Sequence, residues 1–273
     1  MGIRISFFRD HRGGWPRAGS ALLLLGLLTF SLSCGGGSGP SGGPAAADSL
    51  TQQSESAHFV YHWAPGDGVD AAWQEGYYPW LAAALQVEAP AKLQYFKYRD
   101  RAHMRAITGR DSNGWADISG NLAFHTIWPT DNHECVHALV TRTMGLAPSL
   151  LGEGIAVAHS VDLAKGWGEP QWKGEPVHAI AARFRRQGTL PPLGGLVESI
   201  AFSQYDANTT YPLAGSFVRF LIDTRGLAPL KTYFRSSTFM DSGATTRLGF
   251  QQAFGIPLDQ AWNEWLAFLD AQP

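Results

Sequence analysis

Cysteine is nearly absent from this sequence. Cys34 and Cys135 are the only two in 273 residues, which excludes a disulfide scaffold and a multi-cysteine zinc module. An excess of charge is also missing. Lys and Arg total 21 against 23 Asp and Glu, a formal net charge of −2, so nothing here drives nucleic-acid binding. There is no Gly-rich phosphate loop and no internal repeat. The apolar run Ala21–Leu32 has twelve residues, too few to span a bilayer as a helix. Aromatic residues, by contrast, are plentiful. Ten Trp, eight Tyr and fifteen Phe, with 45% hydrophobic residues overall, imply a well-packed core or an aromatic-lined cleft and exclude a wholly disordered chain.

The first 33 residues read as an export signal. Arg4, Arg9, Arg12 and Arg17 stand against a single Asp10, and the apolar run that follows has signal-peptide length. The run ends Ser31-Leu32-Ser33-Cys34 and continues into Gly35-Gly36-Gly37. This resembles a bacterial lipoprotein signal, in which the cysteine is lipidated and becomes the mature N-terminus. The usual Leu three residues before the Cys is Ser31 here, and Ser31 with Ser33 also suits ordinary cleavage after Ser33. Both readings export the chain. The expectation is a membrane anchor at a lipidated Cys34 and a place in the cell envelope. Where the host has two membranes, Gly35 after the Cys points to the outer one. Cys135 is then unpaired, and burial would protect it in an oxidising compartment.

Residues 34–56 are Gly, Ser, Pro, Ala and Gln with hardly an apolar side chain, the composition of a flexible linker. Residues 57–273 have the texture of one domain of two lobes. His58–Trp63, Ala91–Tyr98 and Asn121–Trp128 alternate like strands. Val69–Val87, interrupted near Pro79, and Arg101–Thr108 read as helices, and Asp111–Gly114 reads as a loop. After Pro129 the pattern is helical: Asp131–Met144, Pro148–His159, Pro176–Gln187, Leu213–Thr224, Pro229–Arg235, Thr245–Phe254 and Leu258–Ala271. Gly145, Gly188, Gly226 and Gly255 mark helix ends. The fold class is therefore α+β, a small mixed-sheet lobe followed by a mainly helical lobe. Gly188–Tyr211 is a long, weakly patterned stretch.

The chemistry concentrates at His133-Glu134-Cys135-Val136-His137, an HExxH motif. On a helix, positions i and i+4 share a face, so two imidazoles can grip one metal ion. Glu134 is rotated by about 100° from His133 and can reach a water on the metal without binding the metal. Thr130 or Asp131 can cap the helix. A competing reading makes Asp131-x-x-Glu134 a capping box, with Glu134 merely satisfying a backbone N–H. A zinc hydrolase needs a third ligand. Fifteen residues after His137, Glu153 stands early on the next helix, flanked by Gly152 and Gly154, which permit close backbone approach.

HExxH followed by Glu153-Gly154-x-Ala156 resembles the gluzincin metallopeptidases, the group containing thermolysin and the zinc aminopeptidases. Tyr211–Gly226 (YPLAGSFVRFLIDTRG) and Phe254–Leu269 (FGIPLDQAWNEWLAFL) resemble its bacterial peptidase MA-like subgroup, and the likeness covers residues 90–270. It implies a zincin-like fold with the active-site cleft between the lobes. It makes His133, His137 and Glu153 zinc ligands and Glu134 the general base in hydrolysis of peptide bonds. An oxyanion-stabilising tyrosine is expected on a later helix. Tyr211 is the candidate and Tyr205 the substitute, although Tyr211 reads equally as a core or rim tyrosine. Asn121–His125 resembles the edge strand that pairs with substrate backbone, or is a plain core-covering strand. His159 and His178 read as ordinary hydrogen-bonded histidines, and Arg183, Arg185 and Arg186 as a solvated helix face. The alternative to an enzyme is a zincin-fold lipoprotein serving as a binding or scaffold module. Such a protein would be expected to lose Glu134 or a ligand first, and all four residues are present.

Overall fold

The computed structural model describes residues 49–161 and 168–272. The expected signal peptide, Cys34 and most of the expected linker lie outside the described residues. No helix among those described is long and apolar enough to cross a membrane.

The chain begins with β1 (Gln52–Glu55), antiparallel to β2 (Phe59–Trp63). Helix α1 (Ala71–Leu85) leads to β3 (Leu93–Lys97), parallel to β2. Helix α2 (Arg101–Thr108) and strand β4 (Gly114–Ala116) precede β5 (Ala123–Thr126), which is parallel to β3. β4 folds back antiparallel onto β5, giving the order β1-β2-β3-β5-β4. The helical lobe follows with α3 (Asn132–Thr143) and α4 (Ser149–Ala158). A small ribbon of β6 (Gln171–Trp172) and β7 (Glu175–Pro176) precedes α5 (Val177–Gln187) and the one-turn α6 (Ser199–Phe202). The chain closes with α7 (Ala207–Arg225), α8 (Leu227–Ser236), α9 (Gly243–Phe254) and α10 (Leu258–Asp270). This is the expected α+β order.

Three expectations change. The expected linker to residue 56 gives up Gln52–Glu55 to β1, whose four side chains are all exposed. An edge strand with no buried side chain leaves no apolar pattern to read. Asn121–His125 is not an edge but the core-covering alternative: β5 lies between β3 and β4, and the edge is β4, which begins at the last residue of the expected loop. Helix α7 starts at Ala207 rather than Leu213. Asp206 caps it by accepting from Asn208 N–H, and the helix continues through Pro212, as α1 does through Pro79. Tyr211 therefore sits in the second turn and does not open the helix.

The sheet has two distinct faces. Phe59, Tyr61, Leu93, Tyr95 and Phe124 point inward and are buried, with Tyr95 packed edge-on against Phe124. On the outer face His62, Phe96, His125 and Trp115 stack strand by strand, at 4.6, 4.6 and 3.7 Å between ring centres. Arg110 lies 3.8 Å above Trp115. These cross-strand stacks hold β4 to the sheet although it is only three residues long.

Helices α4 and α7 pack with almost no separating layer. A Cβ on Gly154 would stand 2.5 Å from Val218 Cγ2 and 2.7 Å from the Ala214 carbonyl oxygen, and one on Gly215 would clash with Val157. The two glycines let the helix bearing Glu153 lie directly on the helix bearing Tyr211. Gly154→Ala meets backbone that cannot swing aside. It is expected to cost about 1–3 kcal/mol, read as a lower denaturation midpoint at unchanged m value.

Candidate metal centre

Asp131 begins α3, its Oδ1 accepting from Glu134 N–H at 2.9 Å. A capping box would require Glu134 to return the favour to the Asp131 N–H. That N–H instead donates to Gln74 Oε1 at 3.2 Å, while Gln74 Nε2 donates to the Asp131 carbonyl, also at 3.2 Å. Gln74 is fully buried in α1 and clamps the start of α3 on both sides. Glu134 is thereby released from capping, and its carboxylate makes no hydrogen bond among the described residues. Gly145 ends the turn beyond α3 at φ 113°, where a Cβ would meet the Phe234 carbonyl oxygen at 2.6 Å. Only glycine suits both the angle and the contact.

That turn brings α4 back so that Glu153 faces α3. Glu153 Oε2 lies 3.2 Å from His133 Nε2 and 3.2 Å from His137 Nε2, and the two nitrogens are 3.1 Å apart. Donors bound tetrahedrally at about 2.05 Å from one zinc-sized ion stand about 3.3 Å apart, so this triangle matches such an ion. The N, N, O donor set suits it as well. Burial opposes ionisation of Glu153, but His137 and His133 hold its carboxyl well below the usual range. Burial likewise opposes charge on His137, but Glu153 outweighs it and pushes the imidazole up to about 9.

Glu134 sits beside the triangle. Burial drives its carboxyl well above the usual range, with Asp131 and Glu153 adding to the effect against His137. Its position depends on β4: a Cβ on Gly114 would stand 2.8 Å from Glu134 Cγ and 2.9 Å from Oε1. Tyr211 completes the wall. Its ring stacks on His133 at 5.7 Å and 25°, and its hydroxyl hydrogen-bonds to Glu153. Trp172 packs against its other side at 5.3 Å. The cleft runs between β4 and helices α3, α4, α7 and α8, with Phe234 and Phe239 forming an apolar wall. Tyr205 is not among its lining residues; its hydroxyl lies against Gly195.

The remaining candidates are structural. His159 donates from Nδ1 to the Ile155 carbonyl, and His178 Nδ1 pairs with Ser216 Oγ, both at 2.8 Å. Arg183 pairs with Glu175 and Arg185 with Asp270 on the surface. Cys135 is fully buried, and burial pushes its thiol up. Sequence reasoning missed Gly114, Gln74 and the two phenylalanines, since each acts through a contact distant along the chain.

No protein-family profile matches the sequence, and no curated protein matches it. Among solved structures, the chain is similar to a mutant M1 zinc metallopeptidase from Deinococcus radiodurans. The identity is 14% and the TM-score 0.46, over 82% of this chain and 53% of that one. The same peptidase bound to a Tyr-Ser-Ala substrate gives 15% and 0.46, over 79% and 50%. The chain thus spans about half the length of these proteins.

Two outcomes are expected. Zinc titrated into metal-free protein should bind at about one per chain, and His137→Ala should abolish this. His137 has a raised pKa, so its ion pair with Glu153 stabilises the metal-free fold fully below 6.5 and loses that effect as pH rises through about 9. Glu153 is depressed, so its share is lost as pH falls below 4.5. Zinc must displace the His137 proton. Its affinity should therefore climb from pH 6.5 towards 9, with release of about one proton near neutrality, measured by calorimetry in buffers of different ionisation enthalpy. Separately, Gly114→Ala should displace Glu134 while leaving zinc stoichiometry intact, read by metal analysis together with a crystal structure of the variant.

Proposed function

We propose that this chain is an exported, zinc-dependent peptidase. The observation that carries the reading is the triangle of His133, His137 and Glu153 donors with an unengaged Glu134 carboxylate beside it, in a cleft bordered by a sheet edge.

His133, His137 and Glu153 would hold the zinc. Such an ion supplies Lewis acidity, bringing the pKa of a water towards neutrality and polarising a carbonyl. Glu134 takes the proton from the attacking water and passes it to the leaving amine. Gly114 leaves its carboxylate the space to make both transfers. β4 offers the unpaired backbone groups of an edge strand, against which an extended peptide can lie with little side-chain selectivity. Tyr211 is assigned to the developing oxyanion, because its O–H is a donor already at the triad on a buried, stacked ring. Export and a lipid anchor at Cys34 rest on the N-terminal sequence, and substrates would then be peptides or proteins of the cell envelope. Mass spectrometry of the mature N-terminus decides the anchor: unmodified Cys34 with wholly soluble protein leaves simple secretion.

Glu134→Gln is expected to keep zinc and fold while losing peptide hydrolysis by about 10²–10⁴-fold. Tyr211→Phe should lower kcat by about 10²-fold with KM little changed. If Tyr211→Phe weakens zinc binding instead, the tyrosine acts by orienting Glu153. A zinc-loaded wild type that binds peptides and cleaves none would favour the scaffold role.

A further inference from the structure

The cleft does not end at the metal triad. A second pocket of about 560 Å³ opens beside it, and Ile118, Thr141, Gly145 and Leu146 line both. Its other lining groups include Ser119, Ser237 and Thr238, and Arg142 is the one charged residue among them. Arg142 lies on α3, its aliphatic stem passing Gly120, where a Cβ would be 3.7 Å from Arg142 Cδ. Several surface arginines pair with carboxylates: Arg101 with Asp111, Arg219 with Asp223, Arg225 with Glu264, Arg247 with Asp259. Arg142 has no hydrogen-bond or ion-pair partner among the described residues. The nearby acids are engaged within their own loops. Asp117 accepts from Ser119 N–H and Asn121 Nδ2, and Asp241 from Thr238.

We propose that this pocket is a carboxylate subsite, in which Arg142 binds a carboxylate of the peptide substrate away from the scissile bond. Arg142 is five residues beyond His137, about 7.5 Å further along the axis and about 140° further round α3, so a substrate chain reaches it from the triad by passing over the lining that the two pockets share. A guanidinium offers a planar fork that matches a carboxylate in two parallel hydrogen bonds. The apolar stretch at Ile118 and Leu146 lies between that fork and the triad, so the substrate residues between them meet an apolar wall. The carboxylate is either the C-terminal one of a short peptide or the side chain of an internal Asp or Glu. This assignment rests on the peptidase reading and deepens it.

The test uses the zinc-loaded full chain. Each peptide of a short series is made with a free C-terminus, as its C-terminal amide, and as the amide with Glu placed at successive positions. The wild type should prefer carboxylate-bearing peptides by about tenfold in kcat/KM, and the ratio should shrink with added salt. Arg142→Gln should bring the acid-to-amide ratio towards one, and Arg142→Lys should retain part of it. Preference for the free acid assigns the C-terminal carboxylate; equal rescue by Glu in an amide assigns the side chain. Calorimetry of the acid and amide peptides on zinc-loaded Glu134→Gln reads the same ratio without turnover. Cleavage that is indifferent to the carboxylate, or a ratio that Arg142→Gln leaves unchanged, overturns the subsite alone. A wild type that neither binds nor cleaves any of these peptides overturns the peptidase reading together with it.

Discussion

A carboxylate that is 5% exposed cannot remain charged without a positive partner, and Glu153 is such a group. The cost of removing it from water is offset only by what faces it. Two imidazoles from one helix face supply that partner, and a metal ion held between them would supply more. Much of the helical lobe follows from bringing these groups together. The turn at Gly145 must be tight enough to return α4 along α3. Gly154 must let α4 settle on α7 without a side chain between them. Asp131, held by Gln74, must set the start of α3 so that positions 133 and 137 face α4. Weakening any of these leaves a buried charge with a misplaced counterpart.

The sheet lobe contributes differently. No ligand comes from it, yet it shapes the space in which Glu134 moves. Gly114 is the point of contact, and β4 is anchored there by Trp115 stacked on His125 and capped by Arg110. Burial, reinforced by Arg110, holds His125 at about 3, so it remains a neutral stacking partner across the working pH range. The outer aromatic ladder thus supports the position of Glu134 through one strand.

Local signals made the helical part of this arrangement legible in the sequence. HExxH sits on a capped helix, and a Glu flanked by glycines opens the next. The boundaries of α2 and the glycine-marked helix ends follow from capping and φ preferences alone. The failures share a cause: β1 has no buried side chain, β4 is too short to show alternation, and Gly114 looks like any loop glycine. The helix expected from Leu213 begins at Ala207 and runs through Pro212, because only one carbonyl near its capped end loses its partner. Gln74 lies 57 residues from the backbone it clamps, a contact that no local pattern encodes. Local periodicity reports elements that bury a face; it is silent on those that act through backbone or through distant contacts.

The division of labour between the lobes separates two properties that often fail together in metal sites. The donors lie on α3 and α4, within the helical lobe and its tightest packing. The groups that shape the cleft opposite, β4 and its stacked support, belong to the sheet. Damage to the helix packing reaches the donors first and breaks the triangle they form. Loosening β4 leaves the triangle of donors standing and removes only the wall against which Glu134 is placed. Gly114 is the joint between the lobes, because its missing side chain is the space that the Glu134 carboxylate occupies.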